Sequence, residues 1–156
     1  MKIYLFLPFL FFTFLSSAQL MIINDYDEGL KMAQNLDKPI FILFSGKTCI
    51  STIKVEKALF EDPEINEVLR NHFVIVVLYV DDQTPLDRPY ETRWDSGSFL
   101  IRKQGMKWAD LEFKKFGYLT QLVFGVINKD EKVLVPASPI SPGRIWIDDI
   151  LPKLHF

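Results

Sequence analysis

Continuous apolar runs alternate with amphipathic stretches along the chain, and this alternation predicts strands and helices in turn. Two apolar runs, residues 40–44 and 73–80, have the composition of strands buried on both faces of a sheet. Between them, the spacing of apolar residues predicts one helix over residues 51–60 and a second over 63–72. A strand, two helices and a strand in this order predict a right-handed crossover between parallel strands.

Similar patterns on either side of this crossover complete the predicted fold. Asp25 is the expected N-cap of a helix over residues 26–36, with Glu28 in the capping-box position, and Asp62 and Pro63 are typical of a helix start. Downstream, we expect a helix over 107–116, strands over 122–127 and 132–135, a proline-rich loop over 136–142 and a helix over 143–154. These elements predict an α/β fold, with a mixed sheet of about four to five strands and helices on both faces.

Residues 81–105 interrupt this regular order. Prolines, glycines and polar side chains are frequent there, so we expect an irregular insertion within the domain. Inside it, residues 90–94 and 98–101 have strand-like composition and are expected to pair as a hairpin around residues 95–97.

The N-terminus has the composition of an export signal. Lys2 supplies a positive charge, residues 3–15 form an almost unbroken apolar run, and small residues follow up to Ala18. We predict that residues 1–18 are a secretory signal peptide cleaved after Ala18, that residues 19–156 are one domain, and that the mature chain has no membrane span. The alternatives are an uncleaved membrane anchor, for which the run is short, and a buried element of the fold.

Composition and charge exclude several classes of function. The 156 residues are 49% hydrophobic and 24% charged, as in an ordinary globular domain, and the net charge of −2 gives no reason to expect a nucleic-acid partner. One cysteine and two histidines provide no metal-ligand spacing, and no phosphate-binding glycine loop is present. We therefore expect neither a metal nor another cofactor. Asp81 and Asp82 follow a buried strand, where carboxylates are often simply solvated loop residues.

Cys49 is the only cysteine of the chain and the main candidate for chemistry. In an exported protein such a residue is a free thiol, half of an intermolecular disulfide or a buried small hydrophobe. Its predicted place is the first turn of the helix after the first buried strand, where N–H groups and the helix dipole favour a thiolate. We expect Lys47 and Lys54 to add positive potential and the Thr52 hydroxyl to donate a hydrogen bond to the sulfur. An inert Cys49 that only fills space is the alternative.

Several motifs in a common order resemble the thioredoxin-like proteins, and in particular an exported branch related to the C-terminal domain of the thiol:disulfide interchange transmembrane protein. Residues 38–49 are similar to the first active-site strand and turn of that family, and the resemblance covers most of residues 25–156. It implies a thioredoxin-like fold. The other matching positions are Glu56, Phe60, Asp62–Pro63 and residues 79–82, 84–86, 107–108 and 115–117.

The chain departs from the family pattern at two functional positions. The redox members carry Cys-x-x-Cys, and Thr52 stands here where the second, resolving cysteine would be. The cis-proline that the family places before its third strand aligns with Leu122. A cis bond before a residue other than proline costs about 2.5–4 kcal/mol, so we expect a trans bond there. The resemblance places Gln121 and Leu122 in the loop that normally helps hold an extended substrate. Thr48 replaces the Trp that often precedes the first cysteine.

The resemblance implies an exported protein of the bacterial periplasm or cell envelope that acts on protein thiols or disulfides through Cys49, with Thr52 as the second candidate catalytic residue. Since no resolving thiol is present, a second thiol must come from the partner or from a small molecule. A monothiol reductase, an isomerase-type role and a covalent trap all remain open. The alternative function is a non-catalytic binding module that presents residues 81–105 to an envelope protein.

Overall fold

Residues 20–140 are described by the computed structural model, so the predicted signal peptide and the predicted helix over 143–154 lie outside the described residues. In chain order the elements are β1 (Ile22–Ile23), α1 (Tyr26–Leu36), β2 (Ile40–Ser45), α2 (Ile50–Glu61), α3 (Pro63–His72), β3 (Val74–Tyr79), β4 (Pro85–Trp94), β5 (Gly97–Lys103), α4 (Gln104–Phe116), β6 (Val123–Ile127) and β7 (Val133–Pro139).

The main sheet has five strands in the order β1-β3-β2-β6-β7. Strands β1, β3 and β2 run parallel, and β6 and β7 continue the sheet in antiparallel pairs. This arrangement confirms the predicted mixed sheet and the crossover from β2 to β3. The two-residue strand β1 was not predicted, because so short a segment shows no periodicity.

Both faces of the central strands are buried, which explains why their sequences are apolar without interruption. On β2, Ile40, Ile42 and Phe44 point to one core, whereas Phe41 and Leu43 point to the other. The first core is covered by α1 and α4 and contains Tyr26, Ala33 and Trp108, and the second is covered by α2 and α3 and contains Leu59, Ile65 and Leu69. Helices therefore lie on both faces, as the sequence predicts.

The predicted helix starts are confirmed by their capping hydrogen bonds. Asp25 Oδ1 accepts a hydrogen bond of 3.0 Å from the Glu28 N–H at the start of α1. Asp62 Oδ1 accepts from the N–H groups of Glu64 and Ile65 at 3.0 and 3.1 Å at the start of α3. These side chains satisfy backbone donors that have no partner inside the helix.

The second half of the chain differs from prediction at two element ends. Strand β7 continues to Pro139 through residues that were expected to form a loop from 136 onward. Prolines are tolerated there because β7 is the edge strand of the sheet, where one side needs no backbone donor. Helix α4 begins at Gln104 rather than at residue 107, directly after β5.

The expectation that residues 81–105 are an irregular insertion is wrong for most of the segment. Strands β4 and β5 form a two-stranded sheet of their own, and the predicted pairing around residues 95–97 is confirmed, with Tyr90 opposite Ile101 and Trp94 opposite Gly97. Between Pro85 and Tyr90 the register is irregular, and prolines are tolerated because both strands of a two-stranded sheet are edges.

A buried carboxylate on α4 holds this hairpin against the domain. Asp110 accepts hydrogen bonds from Thr92 Oγ1 at 2.8 Å, Trp94 Nε1 at 2.9 Å and the Tyr90 hydroxyl at 3.2 Å, and its fourth partner is Lys114 Nζ at 3.0 Å. Burial alone would raise the pKa of Asp110, but the bonds from Trp94, Thr92 and Lys114 outweigh burial, and the pKa lies below its ordinary value. The hairpin is thus anchored to α4 by the buried Asp110 carboxylate, both of whose oxygens have hydrogen-bond partners.

Candidate functional site

Cys49 occupies the N-cap position of α2, immediately after the turn that follows β2. Its backbone is extended, with φ −86° and ψ 112°, and its carbonyl accepts the first helical hydrogen bond from the Ile53 N–H at 3.0 Å. The thiol is free and partly exposed. The predicted placement of Cys49 at the helix start is therefore confirmed, and its sulfur is open to solvent.

The Ser51 hydroxyl is the hydrogen-bond partner of the sulfur, at 3.0 Å between Oγ and Sγ. Hydrogen bonds from Ser51, and then from the Thr52 hydroxyl and N–H, lower the pKa of the Cys49 thiol from 9.0 to about 7. Ser51 was missed from the sequence, because a serine in an exposed first helical turn is also common without any role.

Thr52 is buried, and its hydroxyl donates a hydrogen bond of 3.2 Å to Oε1 of Gln121. The sequence predicted that this hydroxyl would donate to the Cys49 sulfur instead. Since a hydroxyl carries one hydrogen, it serves Gln121 or the sulfur at any moment, and ionisation of Cys49 favours the sulfur. The structure thus brings three predicted site residues together: Cys49, Thr52 and Gln121.

Gln121 also packs directly against the turn that precedes Cys49. A Cβ atom added to Gly46 would lie 2.5 Å from Oε1 of Gln121 and 2.7 Å from its amide carbon. A larger residue at this position would displace the Gln121 amide, which fills the space of a side chain in this structure. The loop before β6 is thereby seated on the turn between β2 and α2.

The Asp81 carboxylate holds the backbone of this turn. It accepts hydrogen bonds from the N–H of Lys47 at 2.8 Å, the N–H of Thr48 at 2.9 Å and the Thr48 hydroxyl at 2.6 Å. Burial opposes ionisation of Asp81, but these bonds outweigh it and lower its pKa. The expectation that Asp81 is simply solvated is therefore wrong. The sequence did contain a signal: β2 and β3 are parallel neighbours, so residues that follow them meet at one edge.

Asp82 binds the side chain of Lys47 from the same loop. The Lys47 ammonium lies 2.7 Å from Asp82 Oδ2 and 5.0 Å from the centre of the Tyr79 ring. Hydrogen bonds from Lys47 and then from Thr84 lower the pKa of Asp82 to about 2. The Lys47 charge, which was expected to stabilise a Cys49 thiolate, is therefore largely neutralised by Asp82, and hydrogen bonds have the leading effect on the thiol.

Gly105, at the start of α4, lies in close contact with this loop. Its N–H donates to the Asp82 carbonyl at 2.9 Å. A Cβ atom at Gly105 would lie 2.5 Å from the Val80 carbonyl oxygen and 2.6 Å from the Asp82 nitrogen. The absence of a side chain at this position allows α4 to approach the backbone that carries Asp81.

Leu122 has a trans peptide bond, as predicted, but its conformation was not predicted. Its φ is 59°, in the left-handed region that residues other than glycine seldom adopt. Its N–H donates to the Phe44 carbonyl and its carbonyl accepts from the Ile140 N–H, both at 2.8 Å. A proline has no N–H and a φ near −65°, so it fits neither feature. Leu122 joins β2 to the end of β7 through its backbone.

Glu56 on α2 lies in a small polar cluster behind the turn. Its carboxylate accepts hydrogen bonds from the Ser45 hydroxyl and from the Tyr79 hydroxyl, the latter at 3.0 Å. Burial of the phenol and the charge of Glu56 raise the pKa of Tyr79 to about 12. The cluster links α2 to the ends of β2 and β3.

A second carboxylate, Glu112 on α4, was missed from the sequence and has no exposed surface. Oε1 accepts a hydrogen bond of 3.1 Å from the Thr120 N–H, whereas Oε2 has no hydrogen-bond partner among residues 20–140. Burial raises its pKa to about 7, against the opposing effect of the Thr120 N–H. Glu112 lines an open cleft of about 430 Å³ together with Val80, Ala109, Leu119, Thr120 and Gln121.

Residues 20–140 contain neither a cluster of metal-ligating side chains nor a helix able to span a membrane. No group of three or more histidine, cysteine, aspartate or glutamate side chains in this range is arranged to hold a metal ion. None of the helices in the same range combines the length and the apolar character needed to cross a bilayer.

Comparison with known proteins identifies the fold and the family of the chain. A solved structure described as "DsbH Oxidoreductase" matches all of this chain and 94% of its own, with a TM-score of 0.59 and 18% sequence identity, which shows a common fold. No curated protein matches the sequence significantly. A family model described as "Thioredoxin-like" matches residues 21–101, which is more than half of the chain and includes Cys49 and its turn. The chain therefore belongs to the thioredoxin-like family.

Proposed function

We propose that this protein exchanges thiols and disulfides of other proteins through Cys49, as a monothiol, in the envelope of a bacterium. The observation that carries the proposal is the partly exposed Cys49 thiol, whose pKa of about 7 reflects hydrogen bonds from Ser51 and Thr52. At pH 7 about half of the thiol is then ionised. The thiolate is the nucleophile in disulfide exchange, and a pKa near the ambient pH suits the attacking sulfur.

In the first step, the Cys49 thiolate attacks one sulfur of a protein disulfide. A bond forms between the two sulfurs, the S–S bond of the substrate breaks, and the departing sulfur leaves with the electron pair as a thiolate. Cys49 becomes oxidised to a mixed disulfide, and one cysteine of the substrate becomes reduced.

Release requires a second thiol, because Cys49 is the only cysteine of the chain and Thr52 occupies the resolving position. A thiolate of the substrate, or a low-molecular-weight thiol, attacks the substrate sulfur of the mixed disulfide, and Cys49 leaves as a thiolate. Attack by the substrate itself gives isomerisation. Attack by a small thiol leaves the substrate joined to it in a disulfide. A second small thiol then attacks the small-thiol sulfur of that disulfide, so the reduced substrate leaves as a thiolate and the two small thiols are oxidised to their disulfide.

Export of the chain is part of the proposal and is supported by the N-terminal sequence. The positive Lys2, the apolar residues 3–15 and the small residues up to Ala18 are in the order of a secretory signal peptide, followed by a domain over 19–156. Cleavage removes Lys2, so the net charge moves from −2 to −3. Mass spectrometry of the mature protein tests this part, and retention of residues 1–18 would contradict it.

The activity is tested by reduction of insulin disulfides with an excess of a small thiol. We expect the protein to accelerate the reaction and Cys49→Ser to abolish the acceleration. Ser96→Ala, in the exposed turn of the β4–β5 hairpin, is the matched control and is expected to behave like the wild type. Equal rates for Cys49→Ser and wild type, together with no partner trapped on Cys49 in cells, would rule out the proposed chemistry.

A non-catalytic binding module is the second candidate function, and one observation favours it. Three large side chains of the β4–β5 hairpin remain exposed: Tyr90 at 37%, Phe99 at 37% and Leu100 at 39%. The strand register places Tyr90 and Phe99 on one face of the hairpin and Leu100 on the other, so both faces offer apolar contacts to a partner protein that binds the hairpin. An envelope protein that binds Cys49→Ser as well as wild type, but not Leu100→Lys, would favour this function over thiol exchange.

A further inference from the structure

The cleft between α4 and the loop before β6 has one polar group that the fold leaves unsatisfied. Glu112 is fully buried at the cleft and holds the Thr120 N–H with Oε1, but Oε2 has no hydrogen-bond partner among the described residues. Buried polar atoms in folded proteins are almost always paired, since an unpaired one loses its hydrogen bonds to water without replacing them. An unpaired oxygen of a residue that lines an open cleft points to a ligand that supplies the missing donor.

We propose that this cleft is a subsite for a lysine or arginine side chain of the peptide that the protein binds. Val80, Ala109 and Leu119 give the cleft apolar walls, and Glu112 gives it an acidic floor. Basic side chains combine an apolar stem of methylene groups with a charged hydrogen-bond donor at the tip. The stem would pack against the walls while the tip donates to Oε2.

The cleft adjoins the thiol through Gln121. The Gln121 side chain lines the cleft and accepts the hydrogen bond of the Thr52 hydroxyl, and Thr52 lies one helical turn from Cys49. A peptide joined to Cys49 by a mixed disulfide would therefore reach the cleft with a neighbouring side chain. In this respect the inference rests on the proposed function and adds a substrate class to it, namely cysteines that are close to a basic residue.

The electrostatics of Glu112 favour a cation as the ligand. No ion pair involves Glu112 among residues 20–140, and burial is the leading cause of its raised pKa of about 7. An ammonium or guanidinium in the cleft would supply the missing countercharge and favour the ionised carboxylate. Binding then releases a proton from Glu112, so affinity rises with pH and is about tenfold higher at pH 8 than at pH 6.

The inference is tested with peptides that contain no cysteine, on the Cys49→Ser variant, so that thiol exchange plays no part. The probes are two capped tripeptides, Ala-Lys-Ala and its counterpart with norleucine in place of lysine, titrated by NMR at pH 6, 7 and 8. We expect chemical shift changes at the cleft with the lysine peptide, at least tenfold weaker binding of the norleucine peptide, and tighter binding at the higher pH values.

Glu112→Gln is the decisive variant, because glutamine keeps the shape and the acceptor for the Thr120 N–H. We expect it to weaken lysine-peptide binding at pH 8 at least tenfold and to remove the pH dependence, whereas Glu67→Gln on the exposed surface of α3 changes neither. If Glu112→Gln does not fold, the pH series and the norleucine peptide on the Glu112 protein still decide the matter.

Three results would overturn the inference: no binding of the lysine peptide, equal binding of both peptides, or binding that tightens as the pH falls. The last would mean that the neutral Glu112 acid donates to a ligand acceptor instead. Insulin reduction by the protein with intact Cys49 reports separately on thiol exchange. A loss of peptide binding with intact insulin reduction rejects only the subsite, and the opposite result rejects only the exchange chemistry.

Discussion

The Thr52 hydroxyl donates a hydrogen bond to Gln121, and this bond joins the first turn of α2 to the loop before β6. The sequence predicted both residues, Thr52 at the position that a resolving cysteine would occupy and Gln121 in the expected substrate loop. In this structure the Thr52 side chain, which stands at the position of the second cysteine, binds that loop through Gln121. The position that a resolving cysteine would occupy therefore contains a buried side chain with a hydrogen-bond partner.

Ser51→Ala is expected to raise the pKa of Cys49 from about 7 toward the ordinary value of 9.0, because it removes the leading cause of the lowered pKa. A higher pKa leaves less thiolate at pH 7: a rise from about 7 to about 8 lowers the ionised fraction from about one half to about one tenth, so the rate of alkylation at that pH falls about fivefold. Iodoacetamide alkylation of Cys49 across a pH series measures the shift.

Thr52→Ala is expected to raise the same pKa by less than Ser51→Ala does, since Thr52 comes second among the causes. Ser96→Ala is the control for both and should leave the alkylation profile unchanged. An unchanged profile in Ser51→Ala would show that its hydroxyl does not stabilise the thiolate.

Asp110→Ala is expected to destabilise the protein by about 2–4 kcal/mol, because it leaves the buried Thr92 hydroxyl and the Trp94 N–H without their acceptor. The β4–β5 hairpin should also detach from α4, with faster hydrogen exchange along both strands. Urea denaturation and hydrogen exchange measure the two effects. Asp87→Ala, an exposed position on β4, serves as control, and equal effects of the two substitutions would contradict the anchoring role.

Glu112 is expected to make the protein less stable as the pH rises from about 4.5 to 7. Its pKa is 4.5 in the unfolded chain and about 7 in the folded protein. Over that interval the unfolded carboxyl ionises while the folded one keeps its proton, so the free energy of unfolding falls by up to about 3 kcal/mol.

The comparison that isolates this effect is the difference between wild type and Glu112→Gln in denaturant titrations from pH 4 to 8. We expect wild type to lose stability relative to Glu112→Gln as the pH rises, and Glu67→Gln to follow wild type. Parallel curves for wild type and Glu112→Gln would mean that the carboxyl titrates normally.

Leu122→Pro is expected to destabilise the protein by about 3 kcal/mol or more, because proline cannot reach a φ of 59° and cannot donate to the Phe44 carbonyl. Leu122→Gly keeps the N–H and suits the positive φ, so we expect a much smaller effect. Chemical denaturation compares the two variants. A proline variant as stable as the glycine variant would show that neither the positive φ of Leu122 nor its N–H contributes to stability.

Apolar periodicity predicted most elements, because each buried face repeats along the chain and is capped by recognisable residues. The bounds of α1 and α3 and the caps at Asp25 and Asp62 follow from short-range chemistry alone. Strand β7 was cut short in the prediction, since proline ends a strand in the interior of a sheet but not at its edge. The position of a strand within the sheet, at an edge or in the interior, could not be predicted from the sequence.

The site was predictable only as far as position along the chain determines it. The order of motifs along the chain predicted Cys49, Thr52 and Gln121 as site residues. The role of Asp81 could be predicted only from the fact that β2 and β3 end side by side. Glu112 gave no signal at all, because a glutamate in an amphipathic helix is normally solvent-exposed. Its burial results from the packing of α4 against the loop that contains Thr120.

Gly105 has a consequence for how variants of this chain are to be interpreted. It has no side chain and does not contact the sulfur, yet its backbone rests on the peptide groups of Val80 and Asp82, next to the carboxylate that holds the turn before Cys49. Even a methyl group there must displace that backbone. Substitutions of Gly105 are therefore expected to disturb the turn before Cys49, although the two residues are far apart in the sequence. This effect should exceed any gain in helix propensity that a residue other than glycine gives α4.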